Sequence, residues 1–371
     1  MSELYIGLMS GTSLDGVDGV LADFTAGQMR VLQHCSAPFP PELRAELLAL
    51  NSPGSDELHR AALAGNALAH SYAGVVQALL SSSHTAPGAV RAIGAHGQTV
   101  RHRPQEFDGT GYTVQLNQPA LLAELCGIDV VADFRSRDVA AGGQGAPLVP
   151  PFHHAFFGQA DATLAVLNIG GISNITILDP ASATPVLGFD CGPGNALMDG
   201  WCHRHTGQPY DDAGQWAAGG QINKALLTTL LNEPFFAKPP PKSTGRDLFN
   251  IAWLTHHLRA FSPLPPQDVQ ATLTELTAQS CAEALRTMAP ACRVLIVCGG
   301  GALNTHLMQR LAHHLPSCQV QTSDARGLPP LQVEATAFAW LAQQACLRQT
   351  ASLPKVTGAQ GARILGAIYP A

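Results

Sequence analysis

The chain has 371 residues, of which 46% are hydrophobic and 13% charged, and its formal net charge is −6. This length predicts two domains, and the composition is typical of a globular α/β protein. The negative charge argues against a nucleic-acid partner, and the lack of a long apolar run argues against a membrane span. Nine scattered cysteines without a C-x-x-C pair indicate reduced thiols, so we expect a cytoplasmic protein.

The first predicted element is a β-hairpin over residues 4–21, in which two apolar runs flank a Gly/Ser/Thr/Asp turn. Consecutive amides in such a turn suit an anion, and the carboxylate of Asp15 could hold a phosphate-bound Mg²⁺. An ordinary hairpin turn is the alternative interpretation. The candidate phosphate-binding residues here are Gly11, Thr12, Ser13, Leu14, Asp15, Gly16, Val17 and Asp18.

A strand at 29–35, a helix from Pro40 and a long helix over 56–80 come next. The following strand, 90–96, ends at His96 and Gln98, and α/β proteins place their sites where strands end. These two side chains could bind a sugar or a carboxylate. Alternatively, His96 is a buried histidine that is hydrogen-bonded to backbone.

Charged residues follow a strand at 128–132, which itself follows a strand at 112–116 and a helix at 120–126. They could form one internal ion-pair network, or Arg135 could grip a substrate carboxylate through a bidentate fork. These residues are Asp133, Arg135, Arg137 and Asp138. The glycine-rich stretch 140–147 has the composition of a crossing between two halves, and Gly143 and Gln144 there are candidate substrate contacts.

A second predicted hairpin, over residues 164–178, repeats the plan of the first. Its candidate phosphate-binding residues are Gly170, Gly171, Ser173 and Asn174. Two such hairpins, one in each half, predict two related α/β domains that clasp a phosphate chain between them.

A strand at 186–190 then brings Asp190 to a Gly-Pro-Gly turn, and a helix begins near Asn195. The Asp190 carboxylate could act as a general base. On the pattern alone, an aspartate that caps the helix is the competing interpretation. The stretch 234–245, rich in proline and lysine, is predicted to be a mobile surface loop.

The last third predicts a helix over 268–288, then a buried strand at 294–298 that leads into three glycines and a helix. A helix N-terminus behind glycines can accept a nucleotide against its backbone. The candidates are Gly299, Gly300, Gly301 and Asn304. Another predicted helix, 333–347, carries Glu334, and the tail is expected to pack on the first domain.

Several catalytic motifs are missing from the sequence. It has no G-x-x-x-x-G-K-[ST] and no G-x-G-x-x-G after the first strand, which argues against a P-loop enzyme and a classical dinucleotide site. It also lacks H-E-x-x-H, and its histidine doublets do not have metal-site spacing.

Two phosphate hairpins and a glycine-rich strand end resemble the actin, hexokinase and heat-shock-chaperone ATPase superfamily. More narrowly, motifs along the whole chain resemble those of the anhydro-N-acetylmuramic acid kinase family. They are Gly7–Asp18, Gly94–Thr99, Ala132–Arg135 through Gly145–Pro147, Gly188–Asn195, Lys242–Arg246 and Cys298–Ala302.

The resemblance implies two actin/hexokinase-like (ribonuclease H-like) α/β domains with an interdomain ATP cleft. It further implies an ATP- and Mg²⁺-dependent kinase of bacterial peptidoglycan recycling that opens the 1,6-anhydro ring with water and phosphorylates O6. In that reaction Asp190 is the base that activates water. We assign the sugar to His96, Gln98, Arg135, Gly143, Gln144, Asn195 and Glu334, and Mg²⁺ to Asp15 and Asp190, directly or through water. Family members are homodimers.

We expect the first lobe to comprise residues 1–137 and 350–371, and the second residues 138–349. Two other functions share the fold. A plain sugar or acetate-type kinase would use Asp190 to deprotonate a hydroxyl instead of water. A chaperone- or actin-type ATP switch would need a peptide-binding or filament surface, for which the sequence has no added domain.

Overall fold

The computed structural model describes residues 3–11, 13–246 and 248–371, so the candidate Thr12 lies outside the described residues. The chain forms two compact units. Unit 1 comprises Met1–Phe156 and Gln332–Ala371, and unit 2 comprises Phe157–Leu331. Within the described residues, no helix combines the length and the apolar content that a bilayer crossing requires.

Unit 1 is built on a mixed sheet with the strand order β13-β7-β4-β1-β2-β3. Its strands are β1 (Leu4–Met9), β2 (Gly16–Asp23), β3 (Arg30–Pro38), β4 (Val90–Ala95), β7 (Val130–Ala132) and β13 (Ala367–Tyr369), beside a separate hairpin of β5 (Gln98–Pro104) and β6 (Gly111–Leu116). Its helices are α1 (Pro41–Ala49), α2 (Glu57–Ser83), α3 (Pro119–Cys126), α4 (Ser136–Ala140), α5 (Pro150–Phe157, at the unit boundary), α13 (Val333–Cys346) and α14 (Pro354–Thr357).

Unit 2 is built on a sheet with the order β10-β9-β8-β11-β12. Its strands are β8 (Leu164–Ile169), β9 (Ile172–Leu178), β10 (Val186–Pro193), β11 (Val294–Cys298) and β12 (Gln319–Thr322). Its helices are α6 (Asn195–Thr206), α7 (Gln215–Ala218), α8 (Lys224–Leu231), α9 (Pro234–Ala237), α10 (Ile251–Leu258), α11 (Pro266–Met288) and α12 (Thr305–His314).

The two sheets share one topology. In unit 1, β1, β2 and β3 form an antiparallel meander, and β4 and then β7 add in parallel on the other side of β1. In unit 2, β8, β9 and β10 form the same meander, and β11 and β12 add in parallel beyond β8. This repeated order confirms the prediction of two related α/β domains.

The central strands of both sheets are buried, which explains their largely apolar sequences. Every residue of β1 and of β8 is buried, because each of these strands has a neighbour on both sides and helices against the sheet. Gly7 in β1 and Gly94 in β4 lie directly under α13: a Cβ on Gly7 would collide with the carbonyl of Ala335, and one on Gly94 with that of Phe338. These glycines let a helix approach the sheet closely.

The residue ranges of the two compact units differ from those of the two predicted lobes. Helix α13 packs on β1 and β4 and so belongs to unit 1, although the sequence placed residues up to 349 in the second lobe. Residues 138–156 also join unit 1, since Asp138 is bonded to Thr357. The tail returns to the first sheet as expected, where β13 pairs with β7.

The stretch 234–245 is the predicted surface loop only in part, since residues 238–245 are irregular and several of them are exposed. It starts with the helical turn α9, whose Phe235 is buried against Phe249. The amide of Thr244, near its end, is hydrogen-bonded to Asp190. Aromatic packing therefore anchors the start of this segment, and a hydrogen bond to Asp190 anchors its end.

Candidate active site

Three hydrogen bonds stabilise the turn between β1 and β2. The amide of Leu14, which has a left-handed backbone (φ 59°), donates to the Gly11 carbonyl at 3.2 Å. The side-chain amide of Gln98 donates to the same carbonyl at 3.1 Å, and Arg44 Nε donates to the Leu14 carbonyl at 3.1 Å. Gln98 thus supports the turn, and Asp15 stands exposed on it.

Two further features of this hairpin concern its strands. The hydroxyl of Ser10 is bonded to Tyr72 (2.9 Å) and donates to the Gly97 carbonyl (3.1 Å), which ties the strand end to α2 and to the turn between β4 and β5. The carboxylate of Asp18 accepts a hydrogen bond from Ser36 Oγ at 2.5 Å on the neighbouring β3. Asp18 is therefore occupied within the sheet. Of the other candidates in this hairpin, Val17 is buried and Ser13 and Gly16 are partly buried.

His96 and Arg135 meet at the ends of β4 and β7. Arg135 Nη2 lies 2.9 Å and its Nε 3.2 Å from His96 Nε2, and Arg135 Nη1 donates to the Gly145 carbonyl at 2.7 Å. Burial, reinforced by the guanidinium, lowers the pKa of His96 to about 3, so this histidine is neutral. Burial also lowers the pKa of Arg135 to about 10, and the charge of Glu334 opposes that shift.

The glycine-rich loop 142–145 rests on the buried Asp138. One carboxylate oxygen of Asp138 accepts from the Gly145 amide and the other from Thr357 Oγ1, each at 2.8 Å. The Gln144 amide donates to the Thr357 carbonyl at 2.7 Å. A Cβ on Gly143 would collide with the Asp138 carboxylate. Arg135 and Asp138 thus both form hydrogen bonds with the backbone of Gly145. The alternative prediction, one ion-pair network over residues 133–138, is wrong.

The sequence did not single out His102 on β5, which belongs to the same cluster. Its Nδ1 lies 2.9 Å from Thr113 Oγ1. Burial and the charge of Arg135 lower its pKa to about 4, while the backbone of Gln144 opposes the shift. A histidine in the middle of a short alternating strand carried no distinguishing signal. Unit 1 therefore assembles a donor-rich cluster from the cation Arg135, the neutral histidines His96 and His102, and the loop 142–145.

In unit 2 the turn between β8 and β9 is fixed by the start of α6. The amide of Asn195 donates to the Gly170 carbonyl at 2.8 Å, and Asn195 Nδ2 donates to the Ile169 carbonyl at 3.1 Å. Gly194 packs so tightly that a Cβ there would collide with the Gly170 carbonyl. Asn195, predicted to contact the sugar, therefore lies beside the predicted phosphate turn.

The glycines after β11 adjoin the same turn. A Cβ on Gly300 would lie 3.4 Å from Asn195 Nδ2, and one on Gly301 would collide with Ile169. These glycines form a 3₁₀ turn (Gly300–Leu303), and α12 starts behind it. Asn304 is the N-cap of α12: its Oδ1 accepts from the Leu307 amide at 3.0 Å. The helix N-terminus is thus one turn further along than the pattern predicts.

The remaining candidates of the second hairpin lie in its strand. Ser173 is buried, and its hydroxyl faces the Pro193 carbonyl at 3.4 Å. Asn174 is the cross-strand partner of Asp190 in the β9–β10 pair. The register shifts between Asp190 and Gly192, as in a β-bulge, and such irregularities re-aim side chains next to active sites.

Asp190 is not a helix cap. The N-cap of α6 is Gly194, whereas the Asp190 carboxylate accepts a 2.8 Å hydrogen bond at Oδ2 from the Thr244 amide. The Asp190 amide in turn donates to the Lys242 carbonyl at 3.1 Å. Burial raises the pKa of Asp190 to about 7, although the Thr244 amide and the Lys242 charge both act to lower it. A carboxylate with a pKa near 7 is suited to general-base catalysis.

The segment 242–246 therefore belongs to the site. No role was predicted for its residues, although Lys242–Arg246 was among the recognised motifs. Lys242 Nζ donates to the Phe236 carbonyl at 3.1 Å and lies 4.8 Å from the Phe235 ring centroid. Arg246 lies over the second hairpin: a Cβ on Gly171 would be 3.3 Å from its Nη2. The recognised motif Lys242–Arg246 was the signal that could have identified these residues, although it lies more than fifty residues from Asp190 in the sequence.

Within the described residues, no group of three or more His, Cys, Asp or Glu side chains could hold a metal ion. A magnesium ion bound with a nucleotide needs only one or two carboxylates, because phosphate oxygens and water complete its shell. The exposed Asp15 and the partly buried Asp190 are compatible with that type of binding.

Comparison with known proteins supplies a family. The family model described as "Anhydro-N-acetylmuramic acid kinase" matches residues 3–371. Curated proteins of that name are 64% identical in Albidiferax ferrireducens (over 389 residues, 100% of both chains) and in Variovorax paradoxus (over 373 residues, 100% of this chain and 99% of the other). The relative from Cupriavidus metallidurans is 59% identical over 373 residues, covering 100% of this chain and 98% of its own.

Solved structures show weaker similarity. An activator of 2-hydroxyisocaproyl-CoA dehydratase from Clostridium difficile with bound ADPNP is 12% identical, with a TM-score of 0.48, covering 91% of this chain and 93% of its own. A ROK family glucokinase from Streptomyces griseus in complex with glucose and AMPPNP is 14% identical, with a TM-score of 0.42, covering 92% and 99%.

Proposed function

The chain belongs to the anhydro-N-acetylmuramic acid kinase family, and from that premise we propose that Asp190 is the general base of its reaction. As a member, the chain is a kinase of cell-wall recycling. The family reaction opens the 1,6-anhydro ring of anhydro-N-acetylmuramic acid with water and phosphorylates O6 from ATP. Its products are N-acetylmuramic acid 6-phosphate and ADP.

The single observation that carries the proposal is the environment of Asp190. Its pKa of about 7 means that the carboxylate is ionised in a large fraction of molecules at neutral pH and can still hold a proton that it takes from water. Among described residues, its hydrogen bonds involve Oδ2 alone, through Thr244. Oδ1 is therefore left for the attacking water.

In the proposed sequence, Asp190 takes a proton from water while the water oxygen bonds to the anomeric carbon. The bond between that carbon and O6 breaks, and its electron pair stays on O6. The O6 oxygen then bonds to the γ-phosphorus as the bond to ADP breaks. The proton on Asp190 finally returns to solvent, so that atoms and charge balance.

The other chain residues bind and orient. We assign the lactyl carboxylate and the N-acetyl group to the unit 1 cluster, because Arg135 is a cation fixed by His96 and Gly145 and the loop 142–145 presents backbone donors. Glu334 acts on Arg135 through its charge. We assign phosphate binding to the two hairpin turns and to Arg246, whose guanidinium lies over Gly171.

We further propose that Mg²⁺ accompanies ATP and is held by Asp15 and Asp190, directly or through water. When bound, the ion supplies neutralisation of phosphate charge. An Asp15→Asn variant should need several-fold more Mg²⁺ for half-maximal activity, since the turn keeps its shape. An unchanged magnesium requirement would leave Asp15 as a turn residue. A cytoplasmic location and a homodimer are also proposed, and light scattering of the purified protein tests the latter.

Hydrolysis in ¹⁸O-labelled water tests the proposed chemistry. The label must appear on the anomeric oxygen of the product and must be absent from its phosphate. A plain sugar kinase, in which Asp190 deprotonates a hydroxyl, would leave the sugar unlabelled. Release of labelled sugar at an undiminished rate by Asp190→Asn would show that water is used but that Asp190 is not its base.

A further inference from the structure

Unit 1 contains an open pocket of about 840 Å³ among three arginines, which we name the arginine pocket after Arg137, Arg348 and Arg363. We propose that it is a second binding site for a small sugar phosphate, separate from the His96–Arg135 cluster, and that its occupant modulates the kinase. Its volume lies in the range of small-molecule sites.

The charge of the pocket selects an anion. Asp133 is its acidic lining residue, and that carboxylate already accepts a 2.5 Å hydrogen bond from Ser136 Oγ. In the part of the chain that the structure describes, none of the three arginines forms an ion pair with a carboxylate. Three guanidinium groups against one carboxylate leave two positive charges, which match a phosphoryl group.

The backbone at the rim supports the assignment. Arg348 follows α13 in a left-handed conformation (φ 55°), and its amide donates to the Ala345 carbonyl at 3.0 Å. Glycine is the usual residue at such a helix end, because any side chain there is strained. Asp133, which also lines the pocket, is left-handed as well (φ 57°). Both strained residues line the pocket, as expected where side-chain placement matters more than local stability.

The other lining residues indicate the chemistry of the part of the ligand that is not the phosphoryl group. Ile364, Ile368 and Ala345 provide apolar surface, and Thr350 provides a hydroxyl group. A bare inorganic anion would leave that surface uncovered, whereas a sugar phosphate would cover it and reach the arginines. The product of the family reaction, which carries a phosphate and a carboxylate, is such a compound.

The pocket is mechanically connected to the substrate cluster. Arg135 lies between Asp133 and Arg137 on the same turn, yet its side chain is bonded to His96 and Gly145. Helix α13 has Glu334 in its first turn, and its C-terminal end reaches the pocket at Ala345. A ligand that fixes these two elements would change how the cluster holds the sugar.

Equilibrium binding of the product N-acetylmuramic acid 6-phosphate to the full-length chain tests the proposal. Calorimetry should find two sites per chain in the natural protein and one in an Arg348→Asn/Arg363→Gln double variant. Asparagine tolerates the left-handed backbone of position 348, so the double variant should keep the fold. Equal thermal unfolding midpoints of the variant and the natural protein would verify this. The charge-matched control Arg30→Gln/Arg259→Gln should keep two sites.

Kinetics gives an independent readout. Inhibition by the product should be mixed against the sugar in the natural protein and purely competitive in the double variant, with uninhibited turnover unchanged. At the second site, the product should bind at least about tenfold more tightly than inorganic phosphate. One site in every variant, two sites that survive the double substitution, or equal affinity for inorganic phosphate would each overturn the proposal.

Discussion

The amide of Thr244 donates a 2.8 Å hydrogen bond to the Asp190 carboxylate, although the two residues are 54 positions apart. The contact continues the pairing of the Asp190 amide with the Lys242 carbonyl, at 3.1 Å. These two backbone contacts orient the Asp190 carboxylate. Burial raises its pKa, and the nearby charge of Lys242 acts to lower it.

Replacing Asp190 by asparagine should lower turnover by roughly 10²–10⁴-fold, because the amide keeps the Thr244 hydrogen bond but cannot take a proton from water. Nucleotide affinity should be retained. Steady-state rates and ATP-analogue titration measure the two effects, and Asp161→Asn, at an exposed position of the same unit, is the control. Near-normal turnover would remove Asp190 from the mechanism.

The acid limb of the pH–rate profile should follow Asp190, with activity lost as pH falls through about 7. The positive charge of Lys242 lowers this pKa, so Lys242→Met should move the limb to higher pH, whereas Lys242→Arg should leave it nearly in place. Profiles of kcat/KM at constant ionic strength provide the measurement. A limb that does not respond to Lys242→Met contradicts the assignment.

Stability should also depend on Asp190, with the sign set by its raised pKa. The folded chain binds a proton at this group between the unfolded pKa near 4 and the folded pKa of about 7, so ionisation destabilises the fold as pH rises through that window. Asp190→Asn should therefore stabilise the protein at pH 8 by up to about 4 kcal/mol and should have little effect near pH 4. Denaturant unfolding at both pH values checks the difference, and equal shifts would refute it.

Gly143→Ala should weaken sugar binding, because the new methyl group collides with the Asp138 carboxylate that supports the loop 142–145. We expect a KM for the sugar raised about tenfold and a stability loss of about 1–3 kcal/mol. The KM for ATP should not change. Gly88→Ala, where nothing lies within 4 Å of the new Cβ, is the matched control. An unchanged sugar KM would mean that the loop does not contact the sugar.

Arg246→Gln should reduce phosphoryl transfer by about 10²-fold if its guanidinium binds phosphate over Gly171. The pKa of the acid limb should stay where it is, since Asp190 is not bonded to Arg246. Single-turnover rates separate this effect from nucleotide release, and Arg259→Gln at an exposed site serves as control. A normal transfer rate would leave Arg246 as a surface residue.

Local patterns were enough to predict most of the strands, the principal helices and both hairpins, but not the strands β5, β12 and β13. Alternating or continuous apolar runs report burial along one element, and the glycine turns report backbone geometry within a few residues. The same kind of local signal singled out Asp190 as a candidate, and it also singled out the glycines Gly170, Gly171 and Gly299–Gly301, whose roles stay predictions. Their grouping around Asn195 could be seen only in three dimensions.

Partners that lie far apart in the sequence escaped prediction. His102 carries no local signature, because a histidine in a short strand looks like ordinary surface. Thr244 and Arg246 lie in a recognised motif, but nothing local links that motif to Asp190. The unit boundary differs from the prediction for a related reason. The local pattern shows that α13 is a helix, but its packing on the first sheet depends on Gly7 and Gly94, which have no side chain to keep it away.

By itself, then, the sequence determined two α/β halves with matched hairpins, the kinase family and the identity of the candidate base, since these depend on short-range periodicity and contiguous motifs. Only the tertiary structure decided that Asp190 is aimed by Thr244 instead of capping a helix, and that Arg135 is bonded to His96 instead of to Asp138. The physical reason is that pKa values and hydrogen-bond partners are set by burial and by groups distant along the chain.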